Sequence, residues 1–389
     1  MASESIWPDD LARACLLGRI DLGDGPLPVL VRGGRLEDLS GIAPTSAHLL
    51  ARHPSASAIP AGKDLGPASS FEPRAAWEPA AAASHPGPAR PRLLAPVDLQ
   101  CIKAAGVTFA VSTLERVIEE RARGDAAAAD RIRAQLAARI GRDIASVQPG
   151  SAQAADLKAA LVADGLWSQY LEVAIGPDAE LFTKAPSLSA VGWGDYVGIR
   201  SDSHWNNPEP EVVLVCDPAG QARGAALGND VNLRDIEGRS ALLLGKAKDN
   251  NASCAIGPFV RLFDAHYGID DVRAATVHLS IDGPEGFALQ GESSMRLISR
   301  DPLDLAAQAC GRHHQYPDGF ALFMGTMFAP VQDRDAPGQG FTHKVGDRVR
   351  VSSARLGTLE NEVRHCDAAP PWRFGLMALF DNLARRGLT

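Results

Sequence analysis

The sequence lacks several patterns that would assign a chain of this length to a familiar class. Its six cysteines include no Cys-x-x-Cys pair, so the sequence predicts neither a zinc cluster nor a disulfide framework. No apolar run approaches the roughly 20 residues that a helix needs to cross a bilayer. We therefore expect free thiols, a reducing compartment and no membrane partner.

No region of the chain is strongly basic or strongly acidic. The formal net charge is −8, and the charged residues are spread along the sequence. Because nucleic-acid-binding proteins concentrate Lys and Arg on one surface, no nucleic acid partner is expected. The first ten residues also lack the basic start and apolar run of a secretory signal. The sequence thus predicts a cytoplasmic protein.

Two common motifs of enzyme active sites are absent as well. The sequence contains no Gly-x-Ser-x-Gly nucleophile elbow. Gly192-Trp-Gly194 lacks the further glycine and the strand-to-helix context of a dinucleotide-binding loop. We therefore expect neither a nucleophile-elbow hydrolase nor a nicotinamide-dependent enzyme.

The chain is long enough for two domains. It has 389 residues, of which 45% are hydrophobic, and domains commonly span about 100 to 200 residues. Residues 60–91 are rich in Pro, Ala and Ser without an apolar period, which is typical of a linker. We predict a smaller N-terminal α+β domain with its linker at 1–90 and a catalytic domain at 91–389.

The local patterns favour α+β over an alternating α/β fold, because few strands alternate regularly with helices. We expect a mixed or antiparallel sheet. Predicted helices include one capped by Thr45, one over 112–123 with Thr113 as a possible cap, and one starting at Asp301-Pro302. Further helices are predicted over 125–140 and 152–164, and strands over 15–22, 28–32, 35–39, 320–324, 348–352 and 358–363.

The stretch from Glu209 to Lys248 carries the most informative chemistry. Glu209 and Glu211 open an apolar run over 212–216, and strand residues two apart point to the same face. By itself Glu-x-Glu is more often a solvated strand face. With Asp230 and Lys248 downstream, it suits a hard divalent cation and an anionic substrate.

These residues also belong to a wider pattern. The sequence contains Glu209-Pro-Glu211, Asn229-Asp230-Val231, Arg234-Asp235, Ala247-Lys248 and Gly257-Pro258, together with Phe182-Thr-Lys184 and Gly325-Thr326. In this order and spacing they resemble the signature of the fumarylacetoacetate hydrolase superfamily. The resemblance implies a mixed β-roll catalytic domain, Mg²⁺ or Mn²⁺ held by Glu209, Glu211 and Asp230, and Lys248 beside the substrate.

A departure from the family pattern bears on the reaction. Hydrolases of the superfamily carry Gly-x-x-Tyr-x-x-His-x-x-Glu, whereas this chain has Gly106, Phe109, Ser112 and Glu115 at those places. A serine cannot replace imidazole as a general base near neutral pH. Hydrolysis is therefore disfavoured, although a C–C hydrolase or decarboxylase of acylpyruvates or other oxo acids stays an alternative, as does a catalytically silent relative.

Segments such as 106–116, 180–187 and 338–347 look closer to the dehydratases of the superfamily. This resemblance implies loss of water from a 2-keto-3-deoxy-D-pentonate to give 2,5-dioxopentanoate, with an enolate whose charge the metal stabilises. Glu180 and Lys248 are the predicted base and acid, in an order that the sequence leaves open. The partner would be a small 2-oxo sugar acid, and the protein a homodimer or homotetramer.

Three further side chains receive predicted roles at the substrate. Glu115 would support the leaving group, while Thr326 and Arg234 would hold the substrate carboxylate and Ser112 would contact the substrate. The plainer interpretations are a charge on an exposed helix for Glu115, a structural ion pair for Arg234-Asp235, and backbone bonding at a strand end for Thr326.

Overall fold

The computed structural model describes residues 5–78, 90–123, 125, 128–129, 131–132, 147–328, 330–336 and 340–388. Its strands are β1 Leu16–Asp21, β2 Pro26–Arg32, β3 Arg35–Asp38, β4 Lys63–Pro67, β5 Arg92–Leu94, β6 Cys101–Ala105, β7 Leu181–Ala185, β8 Tyr196–Ile199, β9 Asn206–Asn207, β10 Pro210–Cys216, β11 Ala222–Asp230, β12 Asn232–Leu233, β13 Cys254–Leu262, β14 Thr276–Asp282, β15 Ala288–Ser294, β16 Phe320–Phe323, β17 Arg348–Ser353 and β18 Gly357–His365. The α-helices are Ser46–Arg52, Ala110–Ala122, Ala152–Ala163, Gln169–Ile175, Arg234–Glu237, Leu244–Lys248, Ile269–Arg273, Pro302–Ala309 and Leu376–Arg385.

Two large sheets dominate the described residues. The first runs β4-β3-β2-β1-β13-β11-β10-β16-β6-β7, with β5 also paired to β1, and the second runs β15-β14-β17-β18-β8. Most neighbours are antiparallel, but β16 pairs parallel to β6 and β18 pairs parallel to β8. The predicted α+β class with mixed sheets is confirmed. Antiparallel strands can be joined by short turns, so helices need not alternate with strands as they do in an α/β fold.

The N-terminal strands continue the sheet that carries the acidic residues. Strand β1 pairs with β13, with Leu16 opposite Arg261 and Leu17 opposite Val260. Buried Arg19 donates to the carbonyl oxygens of Ala95 (3.0 Å) and Val97 (2.9 Å), which ties β1 to the chain after residue 90. The division at residue 90, the separate N-terminal domain and the roll geometry stay predictions.

Strand β10 is almost entirely apolar because the hydrophobic core covers both of its faces. Val212 and Leu214 pack into a cluster that also includes side chains of the second sheet, such as Leu279. Val213 and Val215 point to the opposite face and pack into another cluster. Both faces of β10 are therefore covered, which removes the polar alternation of a half-exposed strand.

Several local predictions can be checked directly. The caps are confirmed at Thr45, whose hydroxyl accepts the backbone N–H of His48, and at Asp301, whose carboxylate accepts that of Leu303. The cap at Thr113 is wrong, because the helix begins at Ala110 and the Thr113 hydroxyl donates to the carbonyls of Val107 and Phe109, which precede the helix. The helix predicted over 125–140 lies mostly outside the described residues.

The cysteines and the helices agree with two of the expectations from composition. All six cysteines are free, as predicted. Among the residues that the structure describes, none of the helices combines the length and hydrophobicity that spanning a bilayer requires.

Candidate active site

Three buried carboxylates meet where β10 begins and β11 ends. The antiparallel register places Pro210 opposite Asn229 and Glu211 opposite Gly228. The backbone N–H of Asp230 donates to the carbonyl of Glu209 at 3.0 Å, so these two residues face each other. One oxygen from each of Glu209, Glu211 and Asp230 lies within 4.8 Å of the others, and all three residues are at most 2% exposed. The predicted convergence of these side chains is present.

Each carboxylate is held at one oxygen by a different donor. Glu209 Oε1 accepts from Arg116 Nη2 at 2.5 Å, and Asp230 Oδ1 pairs with Lys184 Nζ at 2.9 Å. Glu211 Oε2 accepts the backbone N–H of Gly325 at 2.7 Å. These contacts restrict rotation of the three carboxylates, which is how outer groups orient the ligands of a metal site.

The other oxygens face a shared centre. Lys248 Nζ contacts Glu209 Oε2 at 2.5 Å and Asp230 Oδ2 at 3.2 Å. The hydroxyl of Thr326 lies 3.4 Å from Glu211 Oε1. Lys248 and Thr326 therefore stand at the triad, and Lys248 is only 3% exposed. Their predicted roles toward the substrate stay predictions.

Two local features of the chain position these groups. Gly325 has φ +103°, and a Cβ there would lie 1.9 Å from Thr108 Oγ1, so a larger residue is excluded where the backbone approaches Glu211. Lys248 ends the short helix Leu244–Lys248, and its carbonyl accepts from Lys184 Nζ and, at 2.7 Å, from the Ser253 hydroxyl. Lys184 thus joins the triad to the backbone of Lys248.

The triad is electrostatically uneven. Although burial opposes ionisation, Lys248 and Arg116 lower the pKa of Glu209 to about 2. Burial, with the nearby charges of Asp230 and Glu209, instead holds the pKa of Glu211 well above its usual value. Within the described residues no Lys or Arg forms an ion pair with Glu211. It is therefore the carboxylate whose charge the chain leaves uncompensated.

Glu180 lies at the edge of the same site. A Cβ at Gly106 would fall 1.9 Å from Glu180 Oε2, so the glycine makes room for the carboxylate. Burial raises the pKa of Glu180, and the charges that also act on it are those of Arg116, Lys248, Glu209 and Asp230. The structure thus brings the predicted acid and base, Glu180 and Lys248, into one neighbourhood.

The remaining predicted substrate contacts lie in a second group of residues. Arg234 pairs with Glu119 at 2.9 Å and with Glu115 at 3.7 Å, and its guanidinium lies over the Trp205 ring. The Ser112 hydroxyl donates to the Phe109 carbonyl at 2.9 Å. In the described chain no hydrogen bond or ion pair joins Arg234 or Ser112 to the triad, and their contact with substrate stays a prediction.

Sequence reasoning gave no role to four charged residues at the site: Arg116, Glu119, Glu237 and Lys184. Arg116 contacts Glu209, Glu119 and Glu237, and burial raises the pKa of Glu237 to about 7. Lys184 belonged to a quoted motif without a role. No pattern in the helix sequence marks Arg116 as part of the site, because Glu209 and Glu237 lie far away along the chain.

Proteins of known activity match part of the chain. No family model matches it. A Haloferax volcanii protein named as a probable 2-keto-3-deoxyxylonate dehydratase is 30% identical over 194 residues, which cover 50% of this chain and 63% of that protein. A 2-dehydro-3-deoxy-D-arabinonate dehydratase of Saccharolobus solfataricus is 30% identical over 185 residues, covering 48% and 58%. The matches thus span less than two thirds of either relative.

Solved structures decide the fold. A 2-keto-3-deoxy-D-arabinonate dehydratase complexed with magnesium and 2,5-dioxopentanoate superposes with a TM-score of 0.60 at 19% identity, covering 90% of this chain and 99% of that one. A fumarylacetoacetate hydrolase from Exiguobacterium antarcticum gives 0.55 at 15% identity, covering 90% and 100%. The chain has the fumarylacetoacetate hydrolase fold. The predicted resemblance to this superfamily and its dehydratases is confirmed.

Proposed function

We propose that the protein is a metal-dependent hydro-lyase that removes water from a 2-keto-3-deoxy-D-pentonate to give 2,5-dioxopentanoate. The observation that carries the proposal is the buried triad with Lys248 at its centre. The two relatives are named for xylonate and arabinonate derivatives. In the D series these are one compound, since C2 is a carbonyl and C3 a methylene.

The donor set fits a divalent cation. Glu209, Glu211 and Asp230 offer only oxygen, which suits Mg²⁺ or Mn²⁺. Glu211 has no ion-pair partner among the described residues, which supports a cation as its partner. When bound by these three residues, such an ion supplies a Lewis acid that draws electron density from the C2 ketone.

The side chains around the triad account for the proton transfers. We assign to Glu180 and Lys248 the removal of a C3 proton and the protonation of the departing C4 hydroxyl. The C3–H and C4–O bonds break, a C3=C4 double bond forms and water leaves. A proton then moves from C5 to C3, which gives a C4=C5 enol. Tautomerisation of this enol protonates C4 and forms the aldehyde at C5.

Three further roles complete the proposal. Thr326, at the triad, holds the substrate carboxylate together with Arg234, and Ser112 contacts the substrate. Glu115 supports the leaving hydroxyl through the ion-pair group that contains Arg234. The absence of imidazole at residue 112 speaks against activation of water for hydrolysis.

The test is an assay of the purified full chain with Mg²⁺. We expect 2-keto-3-deoxy-D-xylonate to be converted to 2,5-dioxopentanoate, detected as aldehyde. A chelator and the Glu211→Gln variant are the controls, and both should abolish product formation. Cleavage of acylpyruvates without dehydration of the sugar acid would contradict the proposal.

We further propose that the enzyme is cytoplasmic and forms a homodimer or homotetramer. Its six free cysteines support a reducing compartment. Sedimentation of the purified protein would test the oligomeric state.

A further inference from the structure

We infer that Arg116 is a positioning residue that holds Glu209 by one oxygen and thereby sets the affinity of the site for a divalent cation. The inference rests on the proposed metal site, and it concerns a side chain outside the ligand set. It is carried by the geometry of the guanidinium and of the acids around it.

The guanidinium divides its donors between two tasks. Nη2 donates to Glu209 Oε1 at 2.5 Å, whereas Nη1 contacts Glu119 Oε2 at 2.6 Å and Glu237 Oε2 at 2.9 Å. The side chain is 9% exposed. Because the guanidinium is planar and its donors form a rigid fork, the two acids on Nη1 fix the direction in which Nη2 points.

The anchor behind Arg116 is itself held. Glu119 Oε1 pairs with Arg234 Nε at 2.9 Å, and the Arg234 guanidinium lies 5.2 Å from the centre of the Trp205 ring. Glu119 and Arg234 are each 2% exposed. A chain of buried contacts therefore runs from the Trp205 ring to the Glu209 carboxylate.

The consequence for the metal site is directional. With Oε1 taken by Arg116, Glu209 presents Oε2 to the centre that Lys248 now contacts. If the guanidinium were lost, the carboxylate would be free to rotate away from this geometry. Loss of such outer partners typically weakens metal binding by about 10- to 100-fold.

Simple charge repulsion predicts the opposite result. A cation beside Glu209 should repel a metal, so its removal would strengthen binding if electrostatics alone decided. The variant Arg116→Lys separates the two effects, since it keeps the positive charge and loses the fork. We expect Mn²⁺ to bind Arg116→Lys at least about tenfold more weakly than wild type.

The experiment is calorimetric titration of Mn²⁺ into the full-length metal-free protein, without substrate. Arg121→Lys is the matched control, because Arg121 is an exposed arginine on the same helix and its guanidinium donates to the Gly165 carbonyl at 3.4 Å, away from the triad. It should bind Mn²⁺ like wild type. A melting curve of each metal-free variant reports any purely structural loss.

The possible outcomes distinguish the role of Arg116 from the existence of the metal site. Equal affinity of Arg116→Lys and wild type, or tighter binding by Arg116→Met, would overturn the inference while leaving the metal site intact. No binding by wild type would overturn the metal site and the proposed function together. Should Arg116→Lys fail to fold, Glu119→Gln tests the same fork without touching Glu209, and an unchanged affinity there would refute the inference.

Discussion

Two buried charge clusters in this protein have different balances. The site network joins six carboxylates to four cations within the described residues: Glu115, Glu119, Glu209, Glu211, Asp230 and Glu237 with Arg116, Lys184, Lys248 and Arg234. A second cluster consists of Arg334, His343 and Asp347. In it Arg334 donates both terminal nitrogens to Asp347, at 2.6 and 2.7 Å.

In the second cluster both oxygens of the buried carboxylate are paired with donors. Asp347 also accepts from the His343 ring at 3.0 Å and from the Lys344 backbone at 3.0 Å. Burial lowers the pKa of His343, and Arg334 pairs at 2.9 Å with the more exposed Glu285 as well, so the buried Asp347 carboxylate faces a cation. The comparison teaches that burial of charge does not identify a binding site. A buried carboxylate without an ion-pair partner among the described residues is the better indication, and Glu211 in the site network is such a group.

The largest expected effect is on the reaction. Lys248→Met should fold and bind Mg²⁺, yet lose turnover by about 10²- to 10⁴-fold, because a group that moves a proton is removed. Steady-state kinetics with 2-keto-3-deoxy-D-xylonate measure the change. The exposed neighbour Lys246, replaced by Met, is the control. A Lys248→Met enzyme that kept most of its kcat would exclude this lysine from catalysis.

The cluster of Arg334, His343 and Asp347 should contribute to stability and not to metal binding. Asp347→Asn removes the buried anion of Arg334 and leaves the arginine paired with the more exposed Glu285, and breaking a buried ion pair costs up to about 3–5 kcal/mol. Urea unfolding at neutral pH measures this loss. The Mn²⁺ affinity should stay unchanged. If it fell with stability, the two clusters would be coupled and the contrast between them would fail.

Glu211→Gln should behave in the opposite way. In the metal-free protein the raised pKa of Glu211 disfavours its charge, so an uncharged isostere is expected to change the unfolding free energy little. At a metal concentration 100 times Kd, wild type should gain about 2.7 kcal/mol and the variant much less. Thermal unfolding with and without Mn²⁺ tests this, with the exposed Glu292→Gln as control. Equal stabilisation of both proteins would remove Glu211 from the metal site.

The smallest effect concerns acid. Although burial opposes ionisation, hydrogen bonds from Arg334 and His343 lower the pKa of Asp347 to about 2. Its stabilising contribution is complete above the unfolded-state pKa near 3.9 and is lost as the pH falls through about 2, a difference of about 2–3 kcal/mol. Unfolding midpoints measured from pH 5 to pH 2 should therefore fall more steeply for wild type than for Asp347→Asn. Parallel curves would show that the pKa of the Asp347 carboxylate is not lowered in the folded protein.

Much of the candidate site was accessible from sequence. Glu209 and Glu211 share a face because the side-chain period of a strand is two, and that rule holds wherever a strand forms. The family resemblance supplied Asp230, Lys248 and the fold. The groups that hold the outer oxygens were not accessible: Arg116 reaches Glu209 across 93 positions and the Gly325 amide reaches Glu211 across 114.

The sequence alone determined which residues are candidates for acid, base and metal-binding chemistry, and where helices with strong caps begin, because these follow from side-chain type and neighbours along the chain. Tertiary structure decided which charges are compensated. It placed Arg116 on Glu209 and left Glu211 without a cation in the described chain, and it extended the site's sheet through β1. Packing of distant segments sets these distances, and the energy of a buried charge depends on them far more than on the residue itself.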